Sequence, residues 1–174
     1  MKNKAASKIT VSAIIAALYV ALTFIFPVLS FGPIQLRLSE ALCLLPLCFP
    51  PAVLGVTLGC LISNLIGFLT MANPLGAVDC IFGTLATFLA AVATYYIGKK
   101  AKNKTLRLVL APLAPVVFNA VIIALEMAIF LSGNSYGFFA TMLYIGVSEA
   151  LVCYVGGIGL VKGVEKFLNK KDAA

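Results

Sequence analysis

Residues Phe138–Lys162 read FFATMLYIGVSEALVCYVGGIGLVK, an apolar run with one acid, Glu149, near its middle. A transmembrane helix needs about 20 mostly apolar residues, so this run is long enough to cross a bilayer. No Lys or Arg lies between Glu149 and Lys162. A carboxylate so placed must be neutral, paired or turned toward a cavity, because hydrocarbon does not solvate it. Reported costs for such a charge start at roughly 2.5 kcal/mol. The rest of the chain reads most simply as the wall of whatever Glu149 faces.

Composition agrees. Of 174 residues, 62% are hydrophobic and 11% charged, with a mean hydropathy of +1.09. Soluble domains carry roughly 25% charged residues, and this chain has too few to cover a water-facing surface. It reads as a single integral membrane domain, residues 1–174, resident in the cell membrane. The formal charge of +7 does not point to nucleic acid, because the basic residues sit at the ends of apolar runs. Three lie in the N-terminal tail (Lys2, Lys4, Lys8), five in 99–107 and four in 162–171, which leaves only Arg37 inside. Clusters of that kind orient helices in a bilayer.

The five cysteines, Cys43, Cys48, Cys60, Cys80 and Cys153, sit in apolar runs without CxxC spacing, and there is no histidine. Neither a metal site nor a disulfide framework follows; the cysteines read as small buried residues. The run Ile9–Phe26 is as long as a full span, and no A-x-A pattern follows it, so it reads as a retained first helix.

Proline and glycine punctuation divides the chain into an all-α bundle of six transmembrane helices, at about 9–27, 36–49, 51–68, 77–97, 107–131 and 138–165. Pro46 is expected to kink the second. At about 1.5 Å per residue that helix is only about 21 Å long, short of a hydrocarbon core of about 30 Å. With both termini cytoplasmic, six spans put all three basic clusters on the inner side, where the positive-inside rule wants them. Five or seven spans strand one cluster outside.

On that topology the intramembrane polar groups fall in the outer half or at the midplane. They are Glu40, Asn64, Asp79, Asn119, Glu126 and Glu149, with Arg37 and Gln35 beside them. A pathway through the protein would spread polar groups over its whole depth; this distribution describes a pocket open to the outside. Each group also has a structural reading. Arg37 and Glu40, spaced i,i+3, suit a salt bridge. Asn64 and Asn119 suit bridges between helices, and Asp79 suits an N-cap of the fourth helix. Glu126 and Glu149 have no basic partner nearby in sequence, so a ligand is the stronger reading for at least one of them, with a pairing to Arg37 as the alternative. Acids in excess over one arginine favour a cation or a molecule offering several N–H donors. Tyr144, Phe138, Phe139, Tyr154 and Phe118 offer flat surfaces for a planar ring.

Ala13, Ala17 and Ala21 recur every four residues on the first helix, and Gly55 and Gly59 on the third; both spacings permit close helix approach. No phosphate-binding loop, G-x-S-x-G or metal spacing is present, so the chain has neither its own ATPase nor the parts of an enzyme, and it calls for no cofactor.

Four segments together, SFGPIQLRLSEAL (30–42), DCIFG (79–83), PVVFNAVIIALE (115–126) and VSEALVCY (147–154), resemble the QueT family. These proteins are substrate-binding S-components of energy-coupling factor (ECF) transporters. The resemblance implies a six-helix S-component that captures queuosine precursors or queuine, which are 7-deazaguanines, from outside. It also implies docking, through Ala13 and Ala17 with Ala21 extending the line, on a module of a transmembrane T-protein and two ATPases. Loops 28–35, 69–76 and 132–137 are candidate lids. A carboxylate can accept the paired N1–H and NH2 of a guanine-like edge. Glu149 or Glu126 is expected to read that edge, and a further acid, Asp79 or Glu40, to meet a substrate amine. Asn119, Asn64 and Gln35 are the amides available to the ring carbonyl. Alternatives are an S-component for another vitamin-like compound, a self-contained cation-coupled carrier, or a structural membrane protein.

Overall fold

Prolines and glycines set where the helices begin and end. The structure, a computed structural model, describes residues 4–32, 35–131 and 137–172. Helix α1 (Lys4–Ile25) stops just ahead of Pro27, and α2 is the single turn Pro27–Ser30 that follows. A 3-10 helix occupies Leu38–Leu47, and Pro50–Pro51 turns the chain into α3 (Ala52–Leu69). Helix α4 (Ala77–Lys100) starts after Gly76, whose φ of +56° is one that a side chain disfavours. Then come α5 (Lys104–Leu110), α6 (Leu113–Phe130) and α7 (Gly137–Leu151). Helix α7 runs through a π-helical segment, Val152–Gly157, into α8 (Ile158–Asp172). No strand occurs among the described residues.

Five helical stretches are long and apolar enough to cross a membrane: Ala5–Ile25, Ala52–Leu69, Ala77–Lys100, Lys104–Phe130 and Gly137–Lys170. The fourth differs from the single helix expected at 107–131. It is interrupted at Ala111–Pro112, because proline has no N–H for the helical ladder. The last, 34 residues long, measures about 51 Å at 1.5 Å per residue. That exceeds a hydrocarbon core of about 30 Å, so its lysine-rich end continues past the core.

The segment expected as the short second helix is the 10-residue 3-10 helix. At about 2.0 Å rise per residue it covers about 20 Å, further than an α-helix of the same length. It runs through Pro46 to Leu47, so the expected kink is replaced by a continuous tighter helix. Packing explains why an unusual conformation persists here. Neighbours run α1 on α3, α3 on α4, α4 on α6 and α6 on α7, while the 3-10 helix touches α1, α3, α4, α8 and the π segment. Leu42, Cys43 and Leu45 pack with Ile15, Tyr19, Ala52, Val56, Cys60 and Ala91. Leu44 packs on the other side with Cys153 and Val161. In a bilayer such packing, more than transfer from water, holds helices together.

The α1–α3 crossing depends on the glycine pair noted in the sequence. A Cβ on Gly55 would lie 2.8 Å from Ile15 Cβ, and one on Gly59 2.6 Å from Tyr19 Cβ and 3.0 Å from the Ala16 carbonyl oxygen. Helix α1 buries Ser12, Ile15, Ala16, Tyr19 and Thr23 and leaves Ala13, Ala17 and Ala21 exposed. The basic end is also tied together. Glu165 of α8 forms ion pairs with Lys104 Nζ at 2.8 Å and with Arg107, and Ser12 Oγ donates to the Pro51 carbonyl at 2.8 Å. The candidate lid 132–137 lies outside the described residues except for Gly137, as do Pro33 and Ile34 of the 28–35 segment.

Candidate functional site

A 3-10 helix has about 3.0 residues per turn, so Arg37, at its N-cap, stacks in line with Glu40 and Cys43. All three are buried. This line organises the polar groups of the bundle.

At the N-terminal end of this line the Arg37 guanidinium, only 4% exposed, donates through Nη2 to Asp79 Oδ2 at 2.6 Å and through Nε to the Ser30 carbonyl at 2.9 Å. Its Cζ lies over the Phe31 ring, 5.2 Å from the centroid. Asp79 Oδ2 also accepts from Asn73 Nδ2 at 2.8 Å, and Asn64 Nδ2 donates to the Asp79 carbonyl at 2.8 Å, bridging α3 and α4. Asp79 therefore lies inside the first turn of α4 and does not cap it; Gly76 holds the cap position. The Arg37–Glu40 salt bridge is likewise replaced by Arg37–Asp79, because a buried guanidinium requires a carboxylate along its own direction and Glu40 points elsewhere. Gly83, one turn after Asp79, leaves the room: a Cβ there would collide with Asp79 Oδ1.

One turn further in, Glu40 accepts from the Tyr19 hydroxyl of α1, from Cys43 Sγ at 3.0 Å and from Thr87 Oγ1 of α4 at 3.4 Å. The carbonyl of Glu40 accepts from Cys153 Sγ at 3.7 Å. One carboxylate thus holds α1, α4 and the 3-10 helix together, with the π segment tied to the same residue.

Glu149 lies across from Glu40. Its Oε2 accepts from Cys153 Sγ at 3.8 Å, a weak donor one turn along at the start of the π segment. Segments of π-helix inside α-helices frequently occur at functional sites. The Asn119 side chain of α6 approaches the Glu149 carboxyl, but its amide nitrogen makes no hydrogen bond. Two turns along the same face of α6, Glu126 is fully buried and neither of its oxygens has a hydrogen-bond partner. Asp79 and then Arg37 are the charged groups that act most on it.

The cluster therefore holds one guanidinium and four carboxyl groups, Glu40, Asp79, Glu126 and Glu149. Arg37 and Asp79 offset each other. Among the described residues the remaining three have no basic partner. Burial without such a partner is costly unless a proton or a bound cation completes the balance. Among these residues no group of three or more His, Cys, Asp or Glu is arranged to hold a metal ion.

The other sequence-selected residues are less central. Gln35 is buried beside Arg37, with a left-handed φ of +48° and its N–H bonded to the Gly32 carbonyl at 3.0 Å. Tyr144, at 47% exposed, stands outside the buried cluster. Phe118, Phe138, Phe139 and Tyr154 are not buried either, and the Tyr154 hydroxyl donates to the Val109 carbonyl at 2.8 Å. The aromatic rings that do face the polar groups are Tyr19 and Phe31, which sequence reasoning passed over together with Asn73 and Thr87. Tyr19 and Asn73 carried a visible signal, a polar group within or beside an apolar span. Their partners lie 21 and 6 residues away, on elements whose facing sides only the fold defines.

A model of the QueT transporter family matches residues 9–166. A protein of Lactococcus lactis subsp. cremoris, the Queuosine precursor transporter QueT, is 38% identical over 91 residues, which is 51% of this chain and 50% of that protein. The match thus spans about half the length of that relative. No solved structure matches.

Proposed function

This chain belongs to the QueT transporter family, with several membrane-spanning helices in the plasma membrane, and from that premise we propose that it is the substrate-binding S-component of an ECF-type importer for 7-deazaguanines. The substrate class follows that of the relative, a queuosine precursor transporter. The topology in this reading has six crossings, the 3-10 helix being the second, with both termini cytoplasmic. The contacts of Glu165 with Lys104 and Arg107, which join the basic loop to α8, support it.

The observation that carries the reading is the unbonded Asn119 amide nitrogen beside the Glu149 carboxyl, deep within a membrane bundle. A guanine-like edge presents N1–H and NH2 side by side, next to a ring carbonyl. The carboxylate accepts the first two, and charge-assisted bidentate bonds of that kind are among the strong ones. The Asn119 N–H then serves the carbonyl. Arg37, Asp79 and Asn64 position the outer end of the pocket, with Gln35 beside them, and Glu40 is the brace that joins α1 to the site. The exposed line Ala13, Ala17 and Ala21 is the face for a T-protein of a module with two ATPases, because it lies on α1 opposite the buried Tyr19.

The test is uptake of radiolabelled queuine by cells expressing the chain with and without the ATPases and T-protein. Uptake that needs the module and survives collapse of the proton gradient supports the S-component reading. Uptake that ignores loss of the ATPases and stops with the proton gradient sinks it in favour of a self-contained cation-coupled carrier. Competition by unlabelled vitamins at least as strong as by queuine would move the substrate class.

A further inference from the structure

The buried polar groups divide into two chemically different sets, and the division assigns the parts of a ligand. Beside Glu149 there is a donor as well as an acceptor. At the junction of α4, α6 and α3, besides the hydroxyls of Ser63 and Thr84, which can donate or accept, the unbonded buried side-chain atoms among the described residues are acceptors. They are Glu126 Oε1 and Oε2, Asp79 Oδ1 and Asn64 Oδ1, all buried and none with a hydrogen-bond partner. The nitrogen donors of that region are already committed: Arg37 Nη2 and Asn73 Nδ2 to Asp79 Oδ2, and Asn64 Nδ2 to the Asp79 carbonyl.

Three further observations place these residues near one another. The Phe82 and Phe130 rings, each about one turn from Asp79 and Glu126, meet with centroids 5.7 Å apart, which sets the start of α4 level with the end of α6. Asp79 is the charged group acting most strongly on Glu126, and Cys80 feels both. The missing Cβ of Gly83 lets the Asp79 and Asn64 side chains close on the same point of α4, since a Cβ there would collide with Asp79 Oδ1 and lie 2.9 Å from Asn64 Nδ2.

We propose that the Asp79, Glu126 and Asn64 corner is an ammonium subsite, which takes the protonated amine of a ligand whose ring edge is read by Glu149 and Asn119. This rests on the 7-deazaguanine reading above. An ammonium group brings three N–H donors, no acceptor and a positive charge, the complement of a corner with two carboxyl groups and an unbonded amide oxygen. A second ring edge would leave its own carbonyl facing carboxylate oxygens there. The spacing is also apt. Asn119 and Glu126 are seven residues apart on one helix, about 10.5 Å along its axis, room for a bicyclic ring and a short arm.

The subsite makes charge on the arm a determinant of selectivity. The experiment is equilibrium binding of 7-aminomethyl-7-deazaguanine and its uncharged nitrile counterpart, 7-cyano-7-deazaguanine, to the purified full chain in detergent. Wild type should bind the amine more tightly. Glu126→Gln should weaken the amine roughly 10- to 100-fold, as loss of a charge-assisted bond does, and leave the nitrile within about twofold. Glu149→Gln should weaken both alike. Equal affinity of wild type for amine and nitrile overturns the subsite without needing a variant. Equal losses of both ligands in Glu126→Gln, or no loss of either, also overturn it and keep the 7-deazaguanine reading. Failure of folded wild type to bind either compound overturns that reading itself.

Discussion

Replacing Arg37 by Met tests how the 3-10 helix is held to the start of α4. The side chain is buried, bonded to Asp79 at 2.6 Å and to the Ser30 carbonyl at 2.9 Å, and stacked on Phe31. Methionine keeps most of the apolar stem and removes every donor. Asp79 then keeps only Asn73 on Oδ2, with Oδ1 already unbonded. Removing one partner of a buried pair costs about 3–5 kcal/mol, chiefly for the charge left behind. At about 2–4 °C per kcal/mol for a chain of this size, the melting temperature should fall by roughly 6–20 °C. The assay is thermal unfolding of the purified protein in one detergent, followed by tyrosine fluorescence, for Arg37→Met, Asp79→Leu and the double variant. Replacing both members of a buried pair by apolar groups is often neutral, so the double variant should recover most of the loss. Additive losses would refute the pairing, because uncoupled residues add and coupled ones do not.

Gly59→Ala should cost about 1–3 kcal/mol, the usual penalty of overpacking, since the new Cβ meets Tyr19 and the Ala16 carbonyl, and backbone cannot step aside as a side chain can. The matched control is Gly163→Ala on α8, where nothing lies within 4 Å; it should be neutral or stabilising by up to about 1 kcal/mol, and an equal loss in both would discredit the α1–α3 crossing as the cause. Ala17→Leu, on the exposed side of α1, should leave ligand binding and melting temperature unchanged and abolish co-purification with the T-protein and ATPases. Unchanged co-purification would remove that face from the docking surface.

Particular residues show how far the sequence could be read. Helix limits followed from local chemistry, as at Pro27, Pro50–Pro51 and the turn before Asp79. The interruption at Pro112 was equally local and shows that a proline inside an apolar run outweighs hydropathy. Segment 36–49 was legible as short and apolar, but its 3-10 conformation was not, because nothing local selects it. It is held by neighbours on every side, and that winding aligns Arg37, Glu40 and Cys43.

The site followed the same pattern. Arg37, Glu40, Asp79, Glu126 and Glu149 stood out because charge is rare in an apolar chain. Their pairing was misread where sequence distance stood in for spatial distance: Arg37 bonds Asp79, 42 residues away, and not Glu40, three away. Tyr144 was chosen for its ring, while the buried Tyr19 was passed over.

By itself the sequence determined that this is a membrane helical protein with an excess of buried acids, because hydropathy and charge are sums over residues that no fold can change. The tertiary structure alone decided which acid is paired, which is braced and which stands unbonded. Those states depend on distances between helices, set by side-chain packing, and a partner is chosen by direction and proximity whatever its place in the chain.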